Sequence, residues 1–216
     1  EKMQLPTGWG VEQQITCVDG STFQMYMANM KSIFMDMIKN TDMVIFNRCK
    51  KEDPLPTYRR GIKVANQRAE VIFEDEEGEL GDIFQDEMPF DMNAPVIEIL
   101  PEDYGIWFVD AMDHPENYEG KTVKFKARVM KPRGMGSKFF VPGRTAMTCC
   151  ADDTTFLGYV CKSAYAPKLT PGEWVEVTAK VGIEKRNEYQ GEEGIVLDAE
   201  HVEQCDPLED EMVYFN

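Results

Sequence analysis

The second half of the chain consists of short stretches in which apolar and polar residues alternate. In the first stretch, after Gly120, an apolar set alternates with a basic set: Val123, Phe125, Ala127 and Val129 against Lys124, Lys126 and Arg128. A period of two places the two sets on opposite faces of a β-strand. Four further strands are predicted at residues 139–150, 156–161, 173–181 and 195–202. In the last strand, a bulge near His201 would restore the apolar face.

Five short strands, with a longer connection between the third and the fourth, follow the order of an oligonucleotide/oligosaccharide-binding (OB) barrel. The first and fourth strands are neighbours in that topology, so we expect Glu176 across from the basic residues of the first strand. We predict an α+β fold, mainly β. It consists of an N-terminal α+β region over residues 1–95 and an OB-like barrel over residues 96–216. A short helix at residues 104–113 is predicted to end before His114-Pro115.

The N-terminal region has mixed patterning. A strand at residues 13–18 is followed by the turn pair Asp19-Gly20, a helical pattern to about residue 39 and a short buried strand at residues 43–46. Two prolines and four basic residues predict a loop over residues 50–60. Residues 61–73 are predicted to be extended, and residues 74–91 to form a solvated acidic loop.

Methionines are concentrated in the predicted helix, at positions Met25, Met27, Met30, Met35 and Met37. The apolar spacing of Met30, Ile33, Phe34, Met37 and Ile38 matches one helix face, which favours core packing. A methionine-lined partner groove and a soft Cu(I) site are the alternatives.

The net charge of the chain limits the kinds of molecule that it can bind. The chain has 23 basic and 39 acidic residues, a formal net charge of −16, which opposes nucleic acid and anionic membrane surfaces. Residues 121–144, however, contain eight basic residues and no acidic one. We name Lys124, Lys126 and Arg128 the cationic stripe. It is a candidate contact for an acidic partner, with cross-strand charge pairing on a solvated face as the alternative. No apolar run approaches the ~20 residues that span a bilayer.

Six cysteines are present, Cys17, Cys49, Cys149, Cys150, Cys161 and Cys205, without a CxxC pair. Adjacent residues of a strand face opposite ways, so Cys149 and Cys150 are not expected to bind one metal ion together. Buried free thiols are favoured. The alternatives are a disulfide, a thiol-redox site, or a metal site that combines Cys149 or Cys150 with Cys161, His201 or Cys205. We expect no cofactor, with zinc or copper as the alternative.

Residues from about 104 to 214 resemble the soluble C-terminal region of YcgQ-like bacterial proteins, a family of uncharacterised function. The segments that carry the resemblance are Asn117-Tyr118-Glu119-Gly120-Lys121, Phe140 with Arg144, Thr148-Cys149-Cys150 followed by Ala151-Asp152, Gly158, and Gly172-Glu173-Trp174-Val175-Glu176-Val177. The chain departs from the family where Ala151 follows Cys150 directly and where the first strand is less hydrophobic. Residues 1–95 are outside the resemblance.

The resemblance implies a membrane-linked accessory protein that acts with a multi-pass permease, and no established catalysis. It singles out Arg144, Cys149, Cys150 and Asp152 as a ligand or partner site, with Arg144 on the outer wall of the barrel beside the two thiols. The expected localisation is membrane-associated or exported, on the extracytoplasmic side. The function predicted from the sequence is therefore a non-enzymatic binding module, with a metal or thiol-redox protein as the alternative.

Overall fold

The computed structural model describes residues 6–81, 88–150 and 153–214, except for the side chains of Cys149 and Cys150. The chain forms two compact units, residues 1–85 with 148–150, and residues 86–147 with 151–216. The sequence predicts the division ten residues later, between residues 95 and 96. The predicted fold class, α+β and mainly β, is confirmed.

The first unit is a three-stranded parallel sheet with helical crossovers. Its elements are β1 (Ile15–Asp19), α1 (Gly20–Asn29), α2 (Lys31–Ile38), β2 (Met43–Asn47), α3 (Leu55–Ala65) and β3 (Glu70–Phe73), and the strand order is β1-β2-β3. Helix α1 begins directly after β1 because Asp19 caps it, accepting a hydrogen bond of 3.0 Å from the Ser21 amide. A Cβ atom at Gly20 would lie 2.8 Å from the Cys49 Sγ, so a larger residue there would require Cys49 to shift.

Helix α3 corrects two predictions from the sequence, the loop at residues 50–60 and the extended segment at residues 61–73. Pro56 lies in the first turn of the helix, where its missing amide proton leaves no hydrogen bond unmade. Leu55, Tyr58 and Ile62 are all buried, at the i, i+3, i+7 spacing of one helix face. The strand of this segment is confined to Glu70–Phe73.

The methionine-rich helix is only partly a core element. A break at Met30, where φ is −136°, divides it into α1 and α2. Phe34 and Ile38 are buried, as predicted, together with Met35, which was not on the predicted face, whereas Met25, Met30, Ile33 and Met37 are 43–63% exposed. Core packing of Met30, Ile33 and Met37 was therefore a wrong prediction, because the break at Met30 turns α2 so that Phe34, Met35 and Ile38 face the core.

The second unit contains the predicted barrel. Its elements are β4 (Ile97–Glu98), α4 (Tyr104–Asp113), β5 (Thr122–Met130), β6 (Phe139–Cys150), β7 (Asp153–Gly158), β8 (Val160–Lys162), β9 (Trp174–Lys185), β10 (Glu193–Gln204) and β11 (Met212–Val213). Strands β5, β6, β8, β10 and β9 pair in that order, and β9 returns to β5. Strands β8 and β10 are parallel, while the pairs β5–β6, β6–β8, β9–β10 and β5–β9 are antiparallel. This closed order is OB-like.

Local features of the barrel also follow the sequence pattern. The register of β9 and β10 shifts between Ala199 and His201, where the bulge was predicted. Strands β6 and β7 approach closely at two glycines. A Cβ atom at Gly158 would lie 2.6 Å from the Pro142 carbonyl oxygen.

Helix α4, which was predicted at the same residues, packs against the barrel through aromatic rings. The Trp107 ring lies 4.8 Å from that of Phe125 and 5.6 Å from that of Tyr159. The Tyr104 hydroxyl donates to the Leu157 carbonyl at 3.0 Å, and the Tyr159 hydroxyl donates to the Phe108 carbonyl at 2.5 Å. The helix before the first barrel strand is therefore part of the barrel core.

Candidate functional site

The cationic stripe lies on β5, beside β9 and the short strand β4. Its three side chains alternate with the buried residues of β5. Glu176 of β9 is in register with Lys126, and its carboxylate contacts the Lys124 ammonium at 3.0 Å. The expectation that Glu176 faces the basic residues of the first strand is therefore confirmed. A hydrogen bond from Lys124 to Glu176, together with the charge of that carboxylate, raises the pKa of Lys124.

The other two members of the stripe differ in their partners. The Arg128 guanidinium contacts the Glu211 carboxylate at 3.5 Å, and Glu211 belongs to the C-terminal segment of the chain. Lys126 has no carboxylate within ion-pair distance among residues 6–81, 88–150 and 153–214. Cross-strand pairing thus accounts for Lys124 and leaves Lys126 available to an acidic group.

A cleft of about 150 Å³ opens beside the stripe. Its lining combines apolar residues (Ile99, Leu100, Pro101, Tyr104, Phe125 and Leu208) with charged residues (Glu98, Lys124, Lys126 and Glu176). The parallel pairing of β4 with β5, in which Glu98 is in register with Lys124, places the 98–104 segment there. Pockets for small-molecule ligands usually measure about 300–1,000 Å³. This cleft suits one amino-acid side chain better than a whole cofactor.

Arg144 is buried, and its predicted place on the outer wall is wrong. The side chain is 2% exposed, and the guanidinium donates to the carbonyl oxygens of Pro101, Asp210 and Met212 at 2.5, 3.0 and 3.1 Å. It also lies over the Tyr104 ring, 5.6 Å from the centroid. Burial lowers the pKa of Arg144, and its Nε is buried without a hydrogen-bond partner among the described residues. The physical reason is the pairing of β11 with β6, which covers this part of the barrel wall.

The predicted placement of Arg144 beside Cys149 and Cys150 involves side chains that the structure does not describe. Both cysteines follow Arg144 on the same strand, β6. The side chains of Cys149 and Cys150 lie outside the described residues, as does Asp152. The role of these three residues stays a prediction.

The structure does not bring Cys161 and His201 together. Cys161 is fully buried and in register with Leu197 of β10, whereas His201 lies four residues beyond Leu197, with its side chain 63% exposed. Burial raises the pKa values of the Cys161 and Cys205 thiols. Among the described residues, no group of three or more histidines, cysteines or carboxylates is placed to hold a metal ion.

The thiols that the structure describes are free. Cys17, Cys49, Cys161 and Cys205 form no disulfide. The methionines considered for a Cu(I) site differ in burial, since Met35 is buried while Met25 and Met37 are exposed.

Sequence reasoning missed the cleft because its lining comes from four separate segments. Leu208 is the one lining residue whose sequence context could have indicated the cleft. It is the only aliphatic residue between Asp206 and Glu211, in a segment otherwise composed of acidic residues and Pro207. A single apolar side chain in such a segment indicates a specific packing contact.

The geometry defines the second unit as an OB-like barrel domain with a charged cleft on its outer face. The family model described as the DUF1980 C-terminal domain matches residues 79–215, more than half of the chain. The chain therefore belongs to the DUF1980 family, which is consistent with the resemblance to YcgQ-like proteins. No curated protein matches the chain.

Several solved structures share a distant likeness. A mitochondrial single-stranded DNA binding protein from S. cerevisiae is 10% identical over 40% of this chain and 95% of that chain, with a TM-score of 0.24. A deletion mutant of the single-stranded DNA binding protein from Thermus aquaticus is 16% identical over 41% and 42%, with a TM-score of 0.24. An aspartyl tRNA synthetase from Entamoeba histolytica is 13% identical over 55% and 27%, with a TM-score of 0.28. Similarity at this level carries no argument about function.

The helices are short. None in the described part of the chain combines the length and the apolar character needed to cross a bilayer.

Proposed function

We propose that this chain is a non-catalytic binding module of a membrane permease system, and that it contacts an acidic partner through the cationic stripe and its cleft. The observation that supports this proposal is the arrangement of Lys126 in a cleft of mixed apolar and charged lining, with its cross-strand neighbour Glu176 engaged by Lys124 at 3.0 Å. Apolar lining next to a cation that contacts no carboxylate among the described residues suits a peptide segment that offers both an apolar side chain and a carboxylate.

The partner and the location of the proposed function come from the family resemblance. A multi-pass permease subunit is the partner that the resemblance implies, and a membrane-associated or extracytoplasmic location follows from it. The negative charge of the rest of the chain favours an acidic-peptide contact over a polyanion, because the cationic stripe is local.

The test measures binding of the chain to the detergent-solubilised permease subunit by biolayer interferometry at about 50 and 300 mM NaCl. Salt at the higher concentration shortens the screening length well below 10 Å and weakens exposed ion pairs. We expect the double variant Lys124→Gln/Lys126→Gln to bind about tenfold more weakly at low salt, which corresponds to about 1.4 kcal/mol. The difference from the wild type should shrink at high salt.

Lys180→Gln is the matched control. It removes the same kind of charge from an exposed residue of β9, outside the cleft lining. Affinity within about twofold of the wild type is expected for this control. Equal affinities of the wild type and the double variant at both salt concentrations would show that the cationic stripe is a solvated surface that does not contact the permease.

The metal or thiol-redox alternative depends on Cys149 and Cys150. Elemental analysis with thiol titration of the native protein and of Cys149→Ser distinguishes it from the binding module. Stoichiometric zinc or copper that is lost in the variant would favour the alternative.

A further inference from the structure

The C-terminal segment is attached to the barrel at two places. The Cys205 amide donates to the Trp174 carbonyl at 3.0 Å, and Arg144 donates to the carbonyl oxygens of Asp210 and Met212. Strand β11 then pairs with β6. The four residues between these attachments, Asp206–Glu209, we name the arc.

The arc itself is weakly held. Within the described part of the chain, no hydrogen bond or ion pair fixes residues 206–209. Asp206, Pro207 and Glu209 are exposed, while Leu208 is partly buried and forms part of the cleft lining with Lys124 and Lys126. Packing of the Leu208 side chain is therefore the main contact of the arc with the barrel.

The segment that contains the arc has the chemistry that the cleft and the stripe would select. Residues 206–211 contain one leucine, one proline and four carboxylates. The carboxylate of Glu211 contacts the Arg128 guanidinium at 3.5 Å. An apolar side chain at the cleft and a carboxylate on the stripe are thus both supplied by the chain itself. Two fixed ends also keep the arc at a high effective concentration beside the cleft.

We propose that the cleft is a docking site for an acidic peptide segment with a leucine-sized side chain, and that the arc occupies this site until such a segment replaces it. This inference rests on the proposed function, whose partner it describes as an acidic, leucine-containing segment. The arc can move while Arg144 keeps its carbonyl partners, since both attachments lie outside residues 206–209. Displacement of the whole segment is disfavoured, because it would leave the buried guanidinium with only one of its three carbonyl partners, that of Pro101.

The experiment uses a fluorescein-labelled synthetic peptide with the sequence of residues 206–211 and measures its anisotropy with the full chain. Leu208→Ser removes the competing side chain and leaves the attachments of the arc in place. We expect this variant to bind the peptide about fivefold more tightly than the wild type, because the competition within the chain is lost. A peptide in which serine replaces the leucine should bind neither protein.

Leu169→Ser is the matched control, since Leu169 is a partly buried leucine in a barrel connection outside the cleft lining. Peptide affinity equal to that of the wild type is expected. Identical affinities of the wild type and Leu208→Ser, or equal binding of the serine peptide, would overturn the proposal.

The two proposals fail in different ways. The peptide assay contains no permease, so binding of the peptide without binding of the permease would contradict the proposed function and leave the docking site in place. Lys124→Gln/Lys126→Gln should weaken peptide binding to Leu208→Ser, and undiminished binding there would place the peptide elsewhere and overturn this inference.

Discussion

Replacing Arg144 with methionine separates a structural role of this arginine from the ligand role that the sequence suggested. Hydrogen bonds to a charged group contribute about 1.5–3 kcal/mol each, and Arg144 makes three of them to backbone carbonyls. The cost of taking a guanidinium out of water, several kcal/mol, offsets much of this gain. Methionine also retains part of the packing against Tyr104. We therefore expect Arg144→Met to lower the free energy of unfolding of the barrel by about 3 kcal/mol.

The assay is urea unfolding followed by tryptophan fluorescence in a Trp9→Phe background. The remaining tryptophans, Trp107 and Trp174, are both buried in the second unit and report on the barrel. Hydrogen exchange of residues 210–213 gives a second readout, since their attachment to the barrel should loosen in Arg144→Met.

Arg128→Met is the matched control for this experiment. Arg128 also contacts the C-terminal segment, but through a partly exposed ion pair with Glu211, and such pairs contribute about 0–1 kcal/mol. If Arg144→Met cost no more stability than Arg128→Met, and exchange at residues 210–213 were unchanged, the structural role of Arg144 would be refuted.

Three further outcomes are expected. Met35→Ala should lower stability by about 2–5 kcal/mol because Met35 is 1% exposed, whereas Met37→Ala, at 54% exposure, should change it by less than about 0.5 kcal/mol in the same urea assay. Burial raises the pKa of Cys49 from 9.0 to about 11. The folded state therefore retains a proton that the unfolded state loses, and stability should fall as the pH rises from 9 to 11, less so in Cys49→Ala. Gly158→Ala should cost about 1–3 kcal/mol in thermal unfolding, because its Cβ would meet the Pro142 carbonyl; an unchanged Tm would contradict that contact.

The barrel could be predicted from the sequence because its strands and turns are marked by patterns of neighbouring residues. Strands β5 and β9 alternate with a period of two, and glycines and prolines mark the turns between strands, so the number and spacing of the strands indicated the OB order. The bulge near His201 appeared as a change in the phase of that alternation. The position of Glu176 followed from the OB topology alone.

Features that depend on distant segments could not be predicted in the same way. Arg144 is on a barrel strand, where the pattern permits exposure, and the carbonyl oxygens that surround it belong to residues 43–68 positions away in the sequence. The cleft combines residues from the 98–104 segment, β5, β9 and the C-terminal segment. Helix α3 was missed for a local reason, because Pro54 and Pro56 are typical of loops as well as of helix starts.

The position of helix α4 ahead of the barrel affects how the chain is made. Tyr104 leaves the ribosome 53 residues before Leu157, the residue whose carbonyl oxygen accepts a hydrogen bond from the Tyr104 hydroxyl. At synthesis rates of about 5–20 residues per second, that interval lasts roughly 3–10 s. During this time the aromatic side chains of the helix can contact Phe125 of β5 but lack their later partners Leu157 and Tyr159. The nascent chain therefore exposes part of the aromatic surface of helix α4 for several seconds. We expect a chaperone that binds apolar segments to recognise the chain at this stage.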